Sequence, residues 1–400
     1  MKIGVYGGTF NPPHLGHITA ARAVMELLRL DKLFLIPDGM PPHKDLASGS
    51  PTALQRLELT RLAAAELGDK AEVLDIELLR AGKSYTSDTL AQLRRQYPHD
   101  RLWLLMGSDM FLTFHQWHEP GKILSLAGVA AFGRTEGDQE AAFARQREFL
   151  YKKYPQAMIF TICIPGVMDI SSTEIRRLLA AGQGERFLAP AVYGTILREG
   201  LYGTKADLKG LTLSQLRPVA LSCLHYKRIP HVLGTEQEAI RLAVRYGADV
   251  AKARRAALLH DCTKRLSTRE QLELCREYGI PLDDVERETG SLLHAKTGAE
   301  EARRVFGVDD EIYGAIRYHT TGRAHMTLLE KIIYLADYIE PSRDFPGVEK
   351  LRKICYEDLD KGLLKGLEMT IGKLGTEGGP IHHAAIEARD ALKGTLRRGK

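Results

Sequence analysis

The sequence predicts an α/β unit built on a doubly wound parallel sheet, followed by an all-α unit. Three observations carry this. Up to about residue 200, short β-branched runs alternate with helical patterns. Beyond about residue 210 those runs nearly vanish and long helical periodicities take over. Four hundred residues, 44% hydrophobic and 27% charged, also exceed what one ordinary compact domain holds.

Taken in order, the strand-like runs are "KIGVYG", "KLFLIP", "AEVLDIEL", "RLWLLMG", "GVAAFG" and "MIFTICI". The first intervening helix shows the pattern: Leu15, Ile18, Ala21, Met25 and Leu28 recur at helical spacing while Arg22, Glu26 and Arg29 face elsewhere, so it can cover one face of the sheet. After "LREGLYGTKADLKG" come "EQEAIRLAVRY", "AKARRAALLH" and "LLEKIIYLADYIE", all helical in period. We expect a first domain over 1–203, a linker over 204–212 and a second domain over 213–400, with no tandem repeat in either.

Composition narrows the function classes. A net charge of +5 spread among nearly as many acids as bases makes neither a basic tail nor an aromatic-studded patch, so nucleic acid is not the expected partner despite a pI near 8.8. The five cysteines form no CxxC pair and are odd in number, which argues for reduced thiols. No basic-then-apolar leader precedes the first strand, and no run reaches the roughly 18 apolar residues of a membrane span. The expectation is a soluble cytoplasmic protein without a membrane partner, its oligomeric state left open.

The stretch "YGGTFNPPHLGH" sits where the first strand hands over to the first helix, the place where open parallel sheets bind ligands. Gly7 and Gly8 allow backbone N–H groups close to an anion, the following helix start favours negative charge, and His14 and His17, three apart, share one side. A glycine pair alone is an ordinary turn. The full string, with "HLGH", resembles the HxGH nucleotidyltransferases, and "GGTFNPPHLGH" is similar in particular to the nicotinate mononucleotide adenylyltransferases, Rossmann-like enzymes. The resemblance continues in order through "MPPHK", "KSYTSDTL", "GSDMF", "QWHE", "FGR" and "ISSTEIR".

The resemblance implies transfer of AMP from ATP to nicotinate mononucleotide, with Mg²⁺ bridging the phosphates. It makes His14, His17, Lys44 and Arg176 the charge-neutralising catalytic groups. Gly7, Gly8, Thr9, Phe10, Tyr85, Thr86, Asp109, Trp117, Arg134, Ser171 and Ser172 become substrate-binding, with Trp117 and the Thr86 backbone selecting the pyridine ring. Physics alone reads the Ser171–Ser172 cluster with Glu174 as a helix N-cap.

In the helical half, His260 and Asp261 follow the apolar "AALL", and Asp337 interrupts "KIIYLADYI". Carboxylates in such settings need a partner or a metal, so a cation is expected between them. His/Asp sets suit Fe, Mn or Zn. The run "PHVLG", "LLHDCTK", "LLHAKTG", "RYHTTG", "LADYIEP" resembles the HD-domain phosphohydrolases, most of all those that hydrolyse diadenosine tetraphosphate symmetrically to two ADP. That likeness implies one or two transition-metal ions, iron foremost. His231, His260, Asp261 and Asp337 would hold one, and His294 and His319 a second, bridged by the catalytic Asp261. Lys264, Arg323 and Arg343 would steady the polyphosphate, while His225, His325, His382 and His383 match no motif and are expected at the surface. Hydrolysis of another nucleotide, or nucleotide sensing, is the alternative for this half.

Overall fold

In the computed structural model, which describes residues 1–40, 46, 49–80, 82–133, 139–164 and 170–398, the chain forms two compact units, Met1–Lys205 and Ala206–Lys400. The first is organised on six parallel strands: β1 Lys2–Gly8, β2 Lys32–Pro37, β3 Ala71–Val73, β4 Arg101–Gly107, β5 Gly128–Gly133 and β6 Ile159–Cys163, in the order β3-β2-β1-β4-β5-β6. Both neighbours of β1 run parallel to it, with Val5 opposite Phe34 on one side and Leu104 on the other.

Alternation along the strands builds a core on each face. Ile3, Val5, Phe34 and Ile36 pack on one side with Leu90 and Leu93 of the Thr86–Gln96 helix. Tyr6, Leu33 and Leu35 pack on the other with Ala20, Ala21 and Val24 of the Leu15–Leu28 helix. Within β1, Gly4 is required by packing, since a Cβ there would lie 2.7 Å from Leu30 and Leu33 side-chain carbons.

The sheet differs from expectation in one place. The run "AEVLDIEL" yields only the three residues of β3, because this edge strand has β2 as its sole neighbour and the chain turns at once, with Leu78 N–H donating to Asp75 O at 2.9 Å. Glu77 is thereby carried off the sheet and toward the strand ends.

The second unit is helical. The helices Ile229–Tyr246, Val250–Leu259, Gly290–Phe306, Asp310–Arg317 and Leu328–Ile339 bury Leu242, Leu258, Leu259, Ala299, Ile316, Ile332, Ile333 and Leu335. Leu328–Ile339 starts on a capping box in which Glu330 N–H donates to Thr327 Oγ1 at 3.3 Å and Thr327 N–H to Glu330 Oε2 at 2.9 Å. Among the described residues no helix is long and apolar enough to cross a membrane.

Candidate active sites

A cavity of about 510 Å³ opens at the carboxyl ends of the strands, where β1 and β4 diverge to opposite halves of the sheet. Of the residues expected to bind substrate or react, Gly7, Gly8, Thr9, Phe10, His14, His17, Tyr85, Thr86, Asp109, Trp117 and Ser171 line it. Gly7 is free of internal crowding, since a Cβ would meet only Ile36 O, at 4.0 Å. Its bareness serves the cavity and not the packing. Lys44 and Arg134 lie outside the described residues.

His14 caps the Leu15–Leu28 helix, and its backbone N–H donates to His17 Nδ1 at 3.1 Å. That bond fixes the His17 tautomer, because an accepting Nδ1 leaves the proton on Nε2. The two rings lie 3.7 Å apart between centroids. Burial depresses both imidazoles: His14 falls to about 4, and His17 goes well below its ordinary value through burial and then the neighbouring His14. Burial alone favours the uncharged rings, which would meet a phosphate as hydrogen-bond donors.

Ser172 and Arg176 are placed differently from the expectation. Ser172 Oγ donates to Pro12 O at 3.2 Å, and Arg176 donates to Asn11 O at 2.7 Å and Thr173 Oγ1 at 2.9 Å. Neither lines the cavity; both fasten the Ser172–Ala180 helix to the loop that carries His14. Ser171 Oγ accepts from Glu174 N–H at 3.1 Å, as an N-cap does. Across the cavity Trp117 is half-buried against Phe114, and the Tyr85 ring lies 4.3 Å from that of His118 at 34°.

Two acids in the wall, Asp38 and Glu77, were not anticipated. Asp38 follows β2, and its carboxylate accepts from Thr9 Oγ1 and from Arg56 Nη1, each at 2.8 Å. Arg56 is fully buried and also donates to Thr9 O, Asp38 O and Gly39 O, so it ties the ends of β1 and β2 together. Burial raises the Asp38 pKa against the pull of Arg56. Arg56→Met leaves that carboxylate buried and uncompensated; we expect a loss of about 3–5 kcal/mol, measured by urea unfolding. A change below about 1 kcal/mol refutes it.

The second constellation lies in the helical unit. His231 sits on Ile229–Tyr246, His260 and Asp261 end Val250–Leu259, His294 rides on Gly290–Phe306, His319 follows Asp310–Arg317, and Asp337 is on Leu328–Ile339. The structure brings all six together. His231 Nε2 is 3.1 Å from Asp337 Oδ1 and 3.7 Å from Asp261 Oδ2; His260 Nε2 is 3.3 Å from Asp261 Oδ2 and 4.0 Å from Asp337 Oδ1. His294 and His319 approach the other Asp261 oxygen, Oδ1, at 3.2 and 3.9 Å, with their own Nε2 atoms 3.1 Å apart.

The far side of each ring decides what these groups can hold. Nδ1 donates to Ala257 O from His260 at 2.6 Å, to Ser291 O from His294 at 2.7 Å and to Ile316 O from His319 at 2.7 Å. His231 Nδ1 donates to the buried Glu340 carboxylate at 3.1 Å. Carbonyl and carboxylate oxygens only accept, so all four protons sit on Nδ1 and four Nε2 lone pairs converge with two carboxylates. His231 Nε2, His260 Nε2 and Asp261 Oδ1 are buried without a hydrogen-bond partner. Such a donor set fits a metal ion, or a pair of them. Burial works against a charged His260, but Asp261 and Asp337 outweigh it and hold its pKa above ordinary, while His319 is pushed down to about 3 by burial first and then His260.

Around this cluster, Lys264 Nζ lies 3.1 Å from His294 Nδ1, and Arg343 Nη2 donates to Asp337 Oδ1 at 2.6 Å. Arg228, which was not anticipated, donates to Asp261 Oδ2. The Arg323 guanidinium is engaged through Nε and Nη2 by the buried Glu330 at 3.0 to 3.2 Å and lies over the Tyr318 ring. His225, His325 and His383 are exposed, but His382 is buried, contrary to expectation, and pairs with Asp283 at 2.9 Å. Asp283, His382 and His383 are close enough to suggest a further ion site. The tautomer argues otherwise, because His382 Nδ1 accepts from Ala384 N–H at 3.1 Å and its proton is therefore on the Nε2 that faces Asp283.

Comparison with known proteins follows the same division. Residues 5–178 match the cytidylyltransferase-like family and residues 228–342 the HD domain. Over 214 residues the chain is 36% identical to "Probable nicotinate-nucleotide adenylyltransferase" of Syntrophotalea carbinolica, covering 50% of this chain and 97% of that one. Over 166 residues it is 46% identical to "Bis(5'-nucleosyl)-tetraphosphatase, symmetrical" of Halalkalibacterium halodurans, 41% of this chain and 88% of the relative. The protein of the same name from Bacillus subtilis is 41% identical over 170 residues, covering 41% of this chain and 91% of its own. The chain thus belongs, through its first half, to the nicotinate-nucleotide adenylyltransferases of the cytidylyltransferase-like family and, through its second, to the HD-domain symmetrical bis(5'-nucleosyl)-tetraphosphatases.

Proposed function

We propose that the chain carries two phosphorus-transfer activities. The N-terminal unit transfers AMP from ATP to nicotinate mononucleotide; the C-terminal unit hydrolyses diadenosine tetraphosphate with one water to two ADP. The names of the relatives supply both substrate classes. The observation that carries the first activity is the His14–His17 pair at the mouth of β1, its ring centroids 3.7 Å apart. For the second it is the convergence of four Nε2 atoms on Asp261 and Asp337.

In the first reaction a phosphate oxygen of the mononucleotide attacks the α-phosphorus of ATP, and the bond to the β-phosphate oxygen breaks to release pyrophosphate. The nucleophile is already an anion, so no covalent enzyme intermediate is needed and the chain's work is alignment and charge stabilisation. His17 Nε2–H and His14 donate to phosphate oxygens. Lys44 adds charge, Arg176 holds the His14 loop in place through Asn11 O, and Mg²⁺ enters with ATP. Trp117 gives a stacking face for the pyridine ring beside the Tyr85–Thr86 helix start.

In the second unit His231, His260, Asp261 and Asp337 would hold one metal ion, and His294, His319 and Asp261 a second. Bound there, such ions lower the pKa of water and neutralise phosphate oxygens. Iron is our reading for the mixed imidazole and carboxylate set. Glu340 keeps the His231 ring turned inward, and the backbone carbonyls do so for the other three. Lys264 and Arg343 face the polyphosphate.

One pair of incubations tests both assignments. ATP with nicotinate mononucleotide yields nicotinate adenine dinucleotide, and diadenosine tetraphosphate yields ADP alone. Chelation stops both reactions, and excess Mg²⁺ restores only the first. ATP plus AMP as products, or hydrolysis by protein that elemental analysis finds metal-free, overturns the hydrolase reading.

A further inference from the structure

We propose that Tyr202 is a positioning residue for adenylyl transfer, holding the His17 ring to one tautomer through the side chain of Asn11. The assignment rests on the transferase reading given above. Tyr202 lies in the single turn Leu201–Gly203 that follows the Pro190–Glu199 helix, near the end of the first unit. Its hydroxyl donates to Asn11 Oδ1 at 2.7 Å, across 191 residues of sequence.

Asn11 is buried in the loop between β1 and the Leu15–Leu28 helix, and it is held on three sides. Oδ1 accepts from Tyr202, Nδ2 donates to Ser50 Oγ at 3.1 Å, and the main-chain oxygen accepts from Arg176 at 2.7 Å. What these bonds restrain is strained. Phe10, directly before Asn11, has φ 46°, in the left-handed region that a bulky side chain keeps only when its surroundings fix it. Its buried ring meets His17 edge-on, 5.3 Å between centroids. Three residues after Asn11 comes the His14 N–H that donates to His17 Nδ1. One tethered residue thus governs both the wall behind the His17 ring and the donor that leaves its proton on Nε2.

Tyr202 is an awkward residue for its own backbone. It has φ 57° between Gly200 at 62° and Gly203 at 75°, and glycine takes that conformation at no steric cost while tyrosine does not. A third glycine would suit the turn better, so the side chain accounts for the tyrosine. Burial raises the phenol's pKa against the pull of Arg176 and Arg56, and the hydroxyl stays a donor.

Tyr202→Phe in the full-length chain removes the hydroxyl and keeps the ring. We expect kcat for dinucleotide synthesis to fall about tenfold, with KM for both substrates within about twofold of wild type. On a His17→Ala background the same change alters kcat by less than about twofold, because both act through one ring. Wild-type kcat in Tyr202→Phe, or losses that multiply in the double variant, overturns the assignment. A second readout needs no substrate: ¹⁵N NMR of the His17 ring shows the Nε2–H tautomer alone in wild type and a mixture of both in Tyr202→Phe. An unchanged single tautomer in the folded variant also overturns it. If wild-type protein makes no dinucleotide, the transferase reading fails, and the ring spectra still decide the role of Tyr202.

Discussion

Replacing Asp261 by alanine abolishes hydrolysis of diadenosine tetraphosphate and empties the helical unit of metal, while synthesis of nicotinate adenine dinucleotide continues at the wild-type rate. The expectation comes from the position of one carboxylate. Asp261 is fully buried, and its two oxygens face different imidazoles, Oδ2 toward His231 and His260 and Oδ1 toward His294 and His319. No other residue of the cluster stands on both sides. Truncation removes the one group shared by the two ion positions and leaves His294 and His319 with Nε2 atoms 3.1 Å apart and no anion between them. Metal per chain, read by elemental analysis, should fall with the activity. A variant that retains hydrolysis at more than a hundredth of wild type defeats the bridging role.

His17→Ala has the opposite signature: dinucleotide synthesis falls by about 10²–10³ in kcat, and the hydrolase is untouched. His17 holds its ring through the His14 backbone N–H, so Nε2 is the proton-bearing atom without any help from substrate. Because burial keeps the ring neutral, it is worth more against phosphate charge that grows during transfer than against resting ATP. The drop should therefore sit in kcat and much less in KM. An effect confined to KM would place His17 in binding alone. Glutamine at the same position, whose amide N–H reaches the place of Nε2 but which cannot accept at that of Nδ1, should recover only part of the loss.

Much of the architecture could be read from residue order. Alternating runs such as "KLFLIP" gave a strand because both faces of a doubly wound sheet are buried, and "LLEKIIYLADYIE" gave a helix apolar nearly all round. The edge strand β3 was overestimated, since periodicity does not reveal that only β2 is there to pair with it. The motif histidines were legible because their chemistry is local to short strings. Their supports were not: Glu340 meets His231 across 109 residues and Arg228 meets Asp261 across 33, and only the packing of helices makes them neighbours. Asp38 left a usable signal, an acid directly after a strand's carboxyl end in "IPDG", where ligands of such sheets bind. His382 looked like a solvated residue beside His383, because nothing in the string shows Asp283 and Glu286 approaching it.

The four imidazoles turned inward by Ala257, Ser291, Ile316 and Glu340 have a consequence for how the helical unit lives with its ion. Small zinc-organised domains collapse when stripped, because the metal supplies their folding energy. Here main-chain carbonyls and one carboxylate set the ring angles, so an ion held as proposed above would meet imidazoles already oriented. On that reading, chelation would cost the helical unit its hydrolysis and leave its helices packed.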